Sequence, residues 1–497
     1  MSYLLGVDVG TSVVKAALFD RDLNEIAVTS RKTTILTPHP GWTETSMSAT
    51  WERVTEATRS LLADHTIIAA DIAAVGVTGN MVGAWLVDGD GRPLRDAILH
   101  IDNRTPLLIE QWTQEHDDFA GTVFRFSGSA MQPGCTLPVI RWLADHEPDT
   151  LDKARYVLCA KDWIIANLTG TYQIDPSEAS VMPGDTRTRS YADPLFDLMG
   201  VREQQALFPP VVPSEQIVGS VTQQAAEQTG LRAGTPVVAG AGDVLATGIG
   251  VGAVQHGTAY AILGTAGING VVTESPIFEP EGIGLMFCQP GGRWVRVMVN
   301  TLGTPNMDWC IRQFFRDLHG MPDQFKHLEQ LATQSGAGAN GVIYLPYLSP
   351  TGVFAPFVEP AARAQFYGLS QDHTRDDMLR AVYEGIAFSI RHCYDAMPVA
   401  VNEIRLTGGG ANSAFWCQLI ADVTGKRVIV PSGSEFGARG SAILAGIGIG
   451  WFDSVEAGQR QLAITRTHEP QRQPAYEQAY RTYVDLVAAL RAMWRPA

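Results

Sequence analysis

The chain opens with two apolar runs joined by a short polar turn, LLGVDVGTSVVKAALFD from Leu4 to Asp20. One strand runs into Asp8, the chain turns at Gly10-Thr11, and a second strand returns carrying Lys15, which predicts a β-hairpin. Further patterning predicts a strand over Glu25–Arg31, a helix over Trp51–Asp64, and a buried strand over Ile72–Thr78 that ends at Gly79-Asn80-Met81. A short strand over Trp85–Val87 is closed by the turn Asp88-Gly89-Asp90-Gly91. Strands alternating with helices indicate an α/β fold. Near Gly234 the pattern restarts. Thr235–Ala239 is a strand entering Gly240–Asp243 (GAGD), and Tyr260–Gly264 ends in Thr265-Ala266-Gly267. Each half then begins with a strand and a Gly-Thr turn, which reads as a duplicated domain with its boundary near Val251. Beyond it, Asp376–Met397 has helical spacing, and Glu403–Thr407 is a strand feeding Gly408-Gly409-Gly410 and a helix over Ser413–Thr424. Ala475–Trp494 is an amphipathic helix whose aromatic residues read as a packing face.

Composition narrows the class. A chain of 497 residues, 45% apolar and 18% charged, exceeds one core and reads as two domains of an ordinary globular protein. Its net charge of −15 argues against a nucleic-acid partner and against an anionic membrane surface. No apolar run approaches the roughly 18 residues of a membrane span, and Met1 leads directly into a core strand, so a cytoplasmic location is expected. The six cysteines are scattered without a CxxC pair, as befits buried thiols in a reducing compartment.

The hairpin tip is the first candidate site. Its backbone N–H groups and the Thr11 hydroxyl suit a phosphate, and Asp8 suits hydrated Mg²⁺, because hard cations prefer oxygen ligands. Taken alone, an ordinary glycine turn explains the same residues. Gly408-Gly409-Gly410 sit between a strand and a helix, where N–H groups can meet an anion; a tight βα turn is the plain alternative.

Five motifs occur in a fixed order: DVGTSVVK at 8–15, GNMVGA at 79–84, GAGD at 240–243, LGTAG at 263–267 and LTGGGANSAFW at 406–416. With AQFYGLSQDHTRDDMLRAVYE at 364–384, they resemble the FGGY family of carbohydrate kinases, in the actin-like ATPase superfamily. The resemblance runs from about Tyr3 to about Phe452. It implies two ribonuclease-H-like domains flanking a deep cleft: a sugar-binding domain at 1–250, an ATP-binding domain at 251–452 and a helical extension at 453–497. It also implies ATP and Mg²⁺ as cofactors. Homodimers are common in the family, though no feature of this chain shows one.

The resemblance assigns roles by position. Asp243 falls where the family has its catalytic base; capping the following helix is its alternative role. Asp8, with Asp243, would hold Mg²⁺ through water. Gly10, Thr11, Lys15, Thr265 and Gly267 would meet the phosphates, although Lys15 also reads as a solvated strand residue. Gly409, Gly410 and Asn412 would meet the nucleotide. Met81, Val82, Trp85, Asp102 and Arg104 would line the sugar side. Core packing for Met81 and Trp85, and a salt bridge for Asp102 with Arg104, are the alternatives. Val82 stands where xylulokinases carry a histidine, Val244 where an asparagine often follows the base, and Val353-Phe354 where many relatives carry Glu-Arg. Four polar positions turned apolar imply a changed substrate, since a pocket with fewer hydroxyl-binding groups leaves the usual sugar's hydroxyls buried without partners. The expected activity is transfer of the γ-phosphate of ATP to a small ketose or polyol. An erythritol or L-xylulose/3-keto-L-gulonate kinase is an alternative within the family, and a silent sugar sensor is one outside enzymology.

Overall fold

The computed structural model describes residues 2–300 and 303–494; residues 495–497 of the expected extension lie outside them. Its first sheet contains β1 (Tyr3–Val9), β2 (Val13–Phe19), β3 (Glu25–Lys32), β4 (Ile72–Gly79), β5 (Ile217–Ser220) and β6 (Pro236–Val238), in the order β3-β2-β1-β4-β6-β5. The second contains β7 (Thr258–Leu263), β8 (Gly267–Thr273), β9 (Leu285–Gln289), β10 (Arg293–Asn300), β11 (Glu403–Thr407), β12 (Arg427–Pro431) and β13 (Ile464–His468), in the order β9-β10-β8-β7-β11-β12-β13.

The two sheets share a core pattern. In the first, β3-β2-β1 is an antiparallel ribbon whose last strand pairs in parallel with β4. In the second, β10-β8-β7 is the same ribbon, and β7 pairs in parallel with β11. The β1–β2 turn at Gly10-Thr11-Ser12 therefore corresponds to the β7–β8 turn at Gly264-Thr265-Ala266. The repeat begins at Thr258, later than the restart read at Gly234. Thr235–Ala239 looked like a first strand because it is short, apolar and followed by glycine. Its register shows instead that β6 lies beside β4, inside the first sheet.

Strands buried on both faces carry near-continuous apolar runs, because helices cover both sides. One face of the first sheet lies under α1 (Met47–Asp64), whose Ser46 caps it by accepting from the Ala49 N–H. The other lies under α2 (Phe436–Gly448), a late segment of the chain. This contact needs bare backbone. A Cβ on Gly6 or Gly76 would stand 2.0 Å from the carbonyl oxygen of Ala438 or Ser441. The helix over Asp243–Gly250 crosses α2 equally closely, since a Cβ on Gly440 would lie 1.8 Å from the Ala246 oxygen. The two halves are thus joined where two glycine-bearing helices cross.

The last helix, Pro474–Trp494, buries Tyr476, Tyr480, Tyr483 and Trp494 against the second half, and Tyr483 Oη meets Tyr347 Oη at 2.7 Å. All six cysteines are buried and free. Among the described residues no helix is long and apolar enough to cross a membrane.

Candidate active site

Asp8 lies one residue before the end of β1, opposite Lys15 on β2. Asp243 opens the helix that follows the Gly240–Gly242 loop. Each keeps part of its surface open. Burial pushes the Asp8 carboxyl up to about 7, and the negative charge of Asp243 adds to the rise against the opposing pull of Lys15. Burial likewise raises Asp243 to about 6, although its Oδ1 accepts the Val244 N–H at 2.8 Å. Two neighbouring carboxylates both hindered from ionising form a site that gains from a cation.

The surroundings come from the other half of the chain. A Cβ on Gly437, near the start of α2, would stand 2.5 Å from Asp8 Oδ2, so glycine lets that helix end reach the carboxylate. Lys15 Nζ pairs with Glu435 at 2.8 Å, its charge engaged at the cleft rather than free in solvent. Glu25 of β3 accepts the Ser434 and Glu435 N–H groups at 3.0 and 2.9 Å, fixing the turn that leads into α2.

Two cavities adjoin these groups. One of about 390 Å³ is lined by Asp8, Lys15, Thr247, Thr407, Gly408 and Asn412, among others. A second of about 450 Å³ is lined by Met307, Phe325, Tyr383, Gly410, Asn412 and Trp416, among others. Gly409 and Asn412 border both. The first mixes charged and apolar lining around Asp8 and Lys15, the second is mostly apolar, and Asp243 stands outside the lining of both.

The glycine run differs from expectation in one respect. Gly409–Asn412 form a single 3₁₀ turn, and the following helix, Ala414–Thr424, is capped by Ser413, whose hydroxyl accepts the Trp416 N–H at 2.9 Å. The glycines border the cavities as a loop and not as an open helix end. Arg466 of β13 braces this loop, donating to the Asn412 and Ala411 carbonyls at 3.2 and 2.6 Å. Gly10, Thr11, Thr265 and Gly267 stand at the two hairpin turns, outside the lining of both cavities. Their backbones are tied elsewhere: the Thr11 carbonyl accepts the Thr33 hydroxyl at 2.6 Å, and the Thr265 carbonyl accepts the Gly303 N–H at 2.9 Å.

On the sugar side the predicted residues separate. Met81 is buried against Gly242, where a Cβ would stand 2.5 Å from its side chain. Val82 has φ 54° and Gly83 φ 76°, two successive left-handed residues. A β-branched residue there is strained. Trp85 is only 1% exposed and belongs to the core of the first half, so it lines no cleft. Asp102 and Arg104 form a buried network in which Arg104 Nη1 alone of the guanidinium nitrogens has no hydrogen-bond partner among the described residues. Asp102 accepts from Arg104 Nε at 2.8 Å, Arg104 Nη2 at 2.9 Å and the Thr43 N–H at 2.6 Å. Arg104 also reaches Glu44 at 2.7 Å and lies 4.2 Å from the Trp42 ring centroid. Their geometry is that of a buried ion pair. Val244 is half-buried beside Asp243, Val353 sits in the core of the second half, and Phe354 is exposed.

Sequence reasoning missed Glu25, Glu435, Gly437 and Arg466. Each lies far along the chain from the motif it serves, and no local pattern marks it. The described residues contain no group of three or more His, Cys, Asp or Glu arranged for a metal ion. Asp8 and Asp243 fit a Mg²⁺ that keeps most of its waters: they are hard oxygen donors with raised proton affinity and Lys15 as the nearby cation.

Residues 3–250 match the N-terminal domain of the FGGY family of carbohydrate kinases, and residues 259–449 match its C-terminal domain. The chain is 33% identical over 512 residues to the erythritol kinase of Brucella abortus (strain 2308), covering 99% of this chain and 97% of the relative. It is 31% identical over 490 residues to the xylulose kinase of Escherichia coli (strain K12), covering 96% and 97%. The solved structure of xylulose kinase from Rhodospirillum rubrum superposes with a TM-score of 0.88 at 26% identity, covering 99% of both chains.

Proposed function

Because the chain belongs to the FGGY family of carbohydrate kinases, and is thus a sugar-kinase phosphotransferase, we propose that it moves the γ-phosphoryl group of ATP to a hydroxyl of a small ketose or polyol. The acceptor would have about four to six carbons. The observation that carries this reading is the pair of neighbouring raised carboxyls, Asp8 and Asp243, of which Asp8 lines a chamber that meets a mostly apolar slot at Gly409 and Asn412.

In this reading the adenine occupies the slot between Trp416, Met307 and Phe325, and the phosphates run past Gly409 toward Lys15. Asp8 and Asp243 would hold a Mg²⁺, which would supply neutralisation of phosphate charge. An alcohol is a weak nucleophile until its proton is taken, and Asp243 takes it as the oxygen closes on phosphorus. A carboxyl raised to about 6 accepts that proton better than an ordinary aspartate while staying mostly ionised at neutral pH. Gly10, Thr11, Thr265 and Gly267, at the hairpin turns, would reach the phosphates as the halves close about the crossing helices. Such closure also excludes water, which limits idle ATP hydrolysis.

Met81 and Val82 form the sugar-side wall. With no imidazole at position 82, the pocket suits an acceptor with few hydrogen-bonding demands there. The match to an erythritol kinase supports a four-carbon polyol as the first acceptor to test. The test is ADP release from Mg·ATP across erythritol, L-erythrulose, glycerol, D- and L-xylulose, D- and L-ribulose and 3-keto-L-gulonate. Turnover with one or two members is the expected result. ATP binding without turnover on any of them would count against the proposed substrate class.

A further inference from the structure

We propose that the segment Asp175–Glu178 clamps both loops of the sugar side, making Ser177 and Glu178 positioning residues for phosphoryl transfer; the kinetic part of this proposal rests on Asp243 being the base. The Ser177 hydroxyl accepts the Gly242 N–H at 2.9 Å, immediately before Asp243. Glu178 Oε2 accepts the Val82 N–H at 3.0 Å. Adjacent side chains of one short helix, Pro176–Ala179, thus hold the base-bearing loop and the sugar-wall loop.

The segment is itself anchored. Asp175 Oδ1 accepts the Ser177 hydroxyl proton at 2.9 Å and lies 3.0 Å from Lys161 Nζ. Its Oδ2 accepts the Ser177 N–H at 3.0 Å and the Ser214 hydroxyl at 2.8 Å. The Ser214 carbonyl in turn accepts the Gly240 N–H at 2.8 Å. Both ends of the Gly240–Gly242 loop therefore lead back to Asp175. The Thr78 hydroxyl, donating to the Ala241 carbonyl at 2.7 Å, fixes its middle. Lys161, Asp162, Asp175, Ser177 and Glu178 are all at most 1% exposed. Burying this much polarity is costly unless it is satisfied. The network spends its bonds on two loops whose backbones are otherwise hard to hold. One includes Gly240 at φ 69°, and the other carries the strained Val82.

The clamp makes a divided prediction. Placement of a base within a few tenths of an ångström affects the chemical step, whereas the wall loop affects acceptor binding. Ser177→Ala should lower kcat about tenfold with the acceptor KM nearly unchanged, and Ser177→Thr, which keeps the hydroxyl, should restore most of it. Glu178→Met should raise the acceptor KM about tenfold with kcat and the ATP KM held, while Glu178→Gln, which still offers an oxygen, should stay near wild type. Hydrogen exchange read by mass spectrometry gives an arm independent of catalysis. Ser177→Ala should speed exchange in peptides covering residues 239–245, and Glu178→Met in those covering 80–84, with the remaining core unchanged. Unaltered exchange in both loops would overturn the clamp. So would equal losses of kcat and acceptor affinity in both variants, which is what general destabilisation produces. The exchange arm decides the clamp even if no acceptor is phosphorylated, so its failure and that of the proposed function read out separately.

Discussion

Asp8 and Asp243 hold their protons more tightly in the folded chain than in the unfolded one, where an aspartate ionises near about pH 3.9. Without metal, the stability they contribute is full below that pH. It falls as pH rises through about 6 for Asp243 and about 7 for Asp8. Asp8→Asn should therefore melt higher than wild type at pH 8 in chelator and equal to it near pH 4. It should also lose the upward shift that Mg²⁺ gives the wild-type chain. Thermal unfolding at both pH values with and without Mg²⁺ checks this; a variant less stable than wild type at pH 8 would refute it. Arg104 tests the opposite kind of residue. Its side chain is fully buried with those of Asp102 and Glu44, so Arg104→Ala strands buried carboxylates and should cost about 3–5 kcal/mol in urea unfolding. Because Asp102 and Glu44 take Arg104 Nε and Nη2 within the fold, acceptor KM per folded molecule should change little. A large KM change at near-native stability would assign Arg104 to the acceptor instead.

At the scale of elements, glycine sorts into two uses. At Gly440 a Cβ would strike the Ala246 backbone, whereas at Gly409, exposed beside both cavities, it would meet nothing within 4 Å. Gly440→Ala should lower stability by about 3 kcal/mol or more, and Gly409→Ala by well under about 1 kcal/mol. Only Gly409→Ala should weaken ATP binding while leaving the fold intact. Calorimetric titration beside thermal unfolding separates the two.

The strands were legible: Ile72–Thr78 and Glu403–Thr407, nearly continuous in buried residues, and Glu25–Arg31 at the sheet edge, match the folded strands within a residue. The starts read at Asp376, Ser413 and Ala475 fall within one residue of the folded helices, and one start was less legible. α1 begins at Met47, four residues before the reading from Trp51, because its cap is Ser46 and the intervening residues are small or polar. At the site, the local motifs were readable while their partners were not. Periodicity cannot show that Phe436–Gly448 lies on the first sheet, nor that Trp85 points into the core. Both depend on which faces meet across hundreds of residues. The Asp102–Arg104 pair was equally ambiguous, since a salt bridge and a sugar contact use the same side chains.

Across the whole molecule, the crossing of the Asp243–Gly250 helix with α2 brings Asp243 and Asp8 together from the two sides of the contact. Asp243 begins one helix, and Gly437 near the start of the other touches Asp8. A rotation of the halves about that crossing moves the Gly409 loop relative to both carboxylates. A second contact lies away from the crossing, where Arg189 donates to the Arg293 and Gln289 carbonyls at 2.8 and 2.7 Å, and Trp294 Nε1 to the Thr186 carbonyl at 2.7 Å. The proposed closure of the halves would require these bonds to persist or exchange. The central claim is that Asp243 accepts the acceptor's proton. Its most direct measurement is phosphoryl transfer by Asp243→Asn alongside nucleotide binding by the same preparation. Turnover should fall by about 10²–10⁴-fold with ATP affinity within a few-fold of wild type. Full turnover in that variant would contradict that claim.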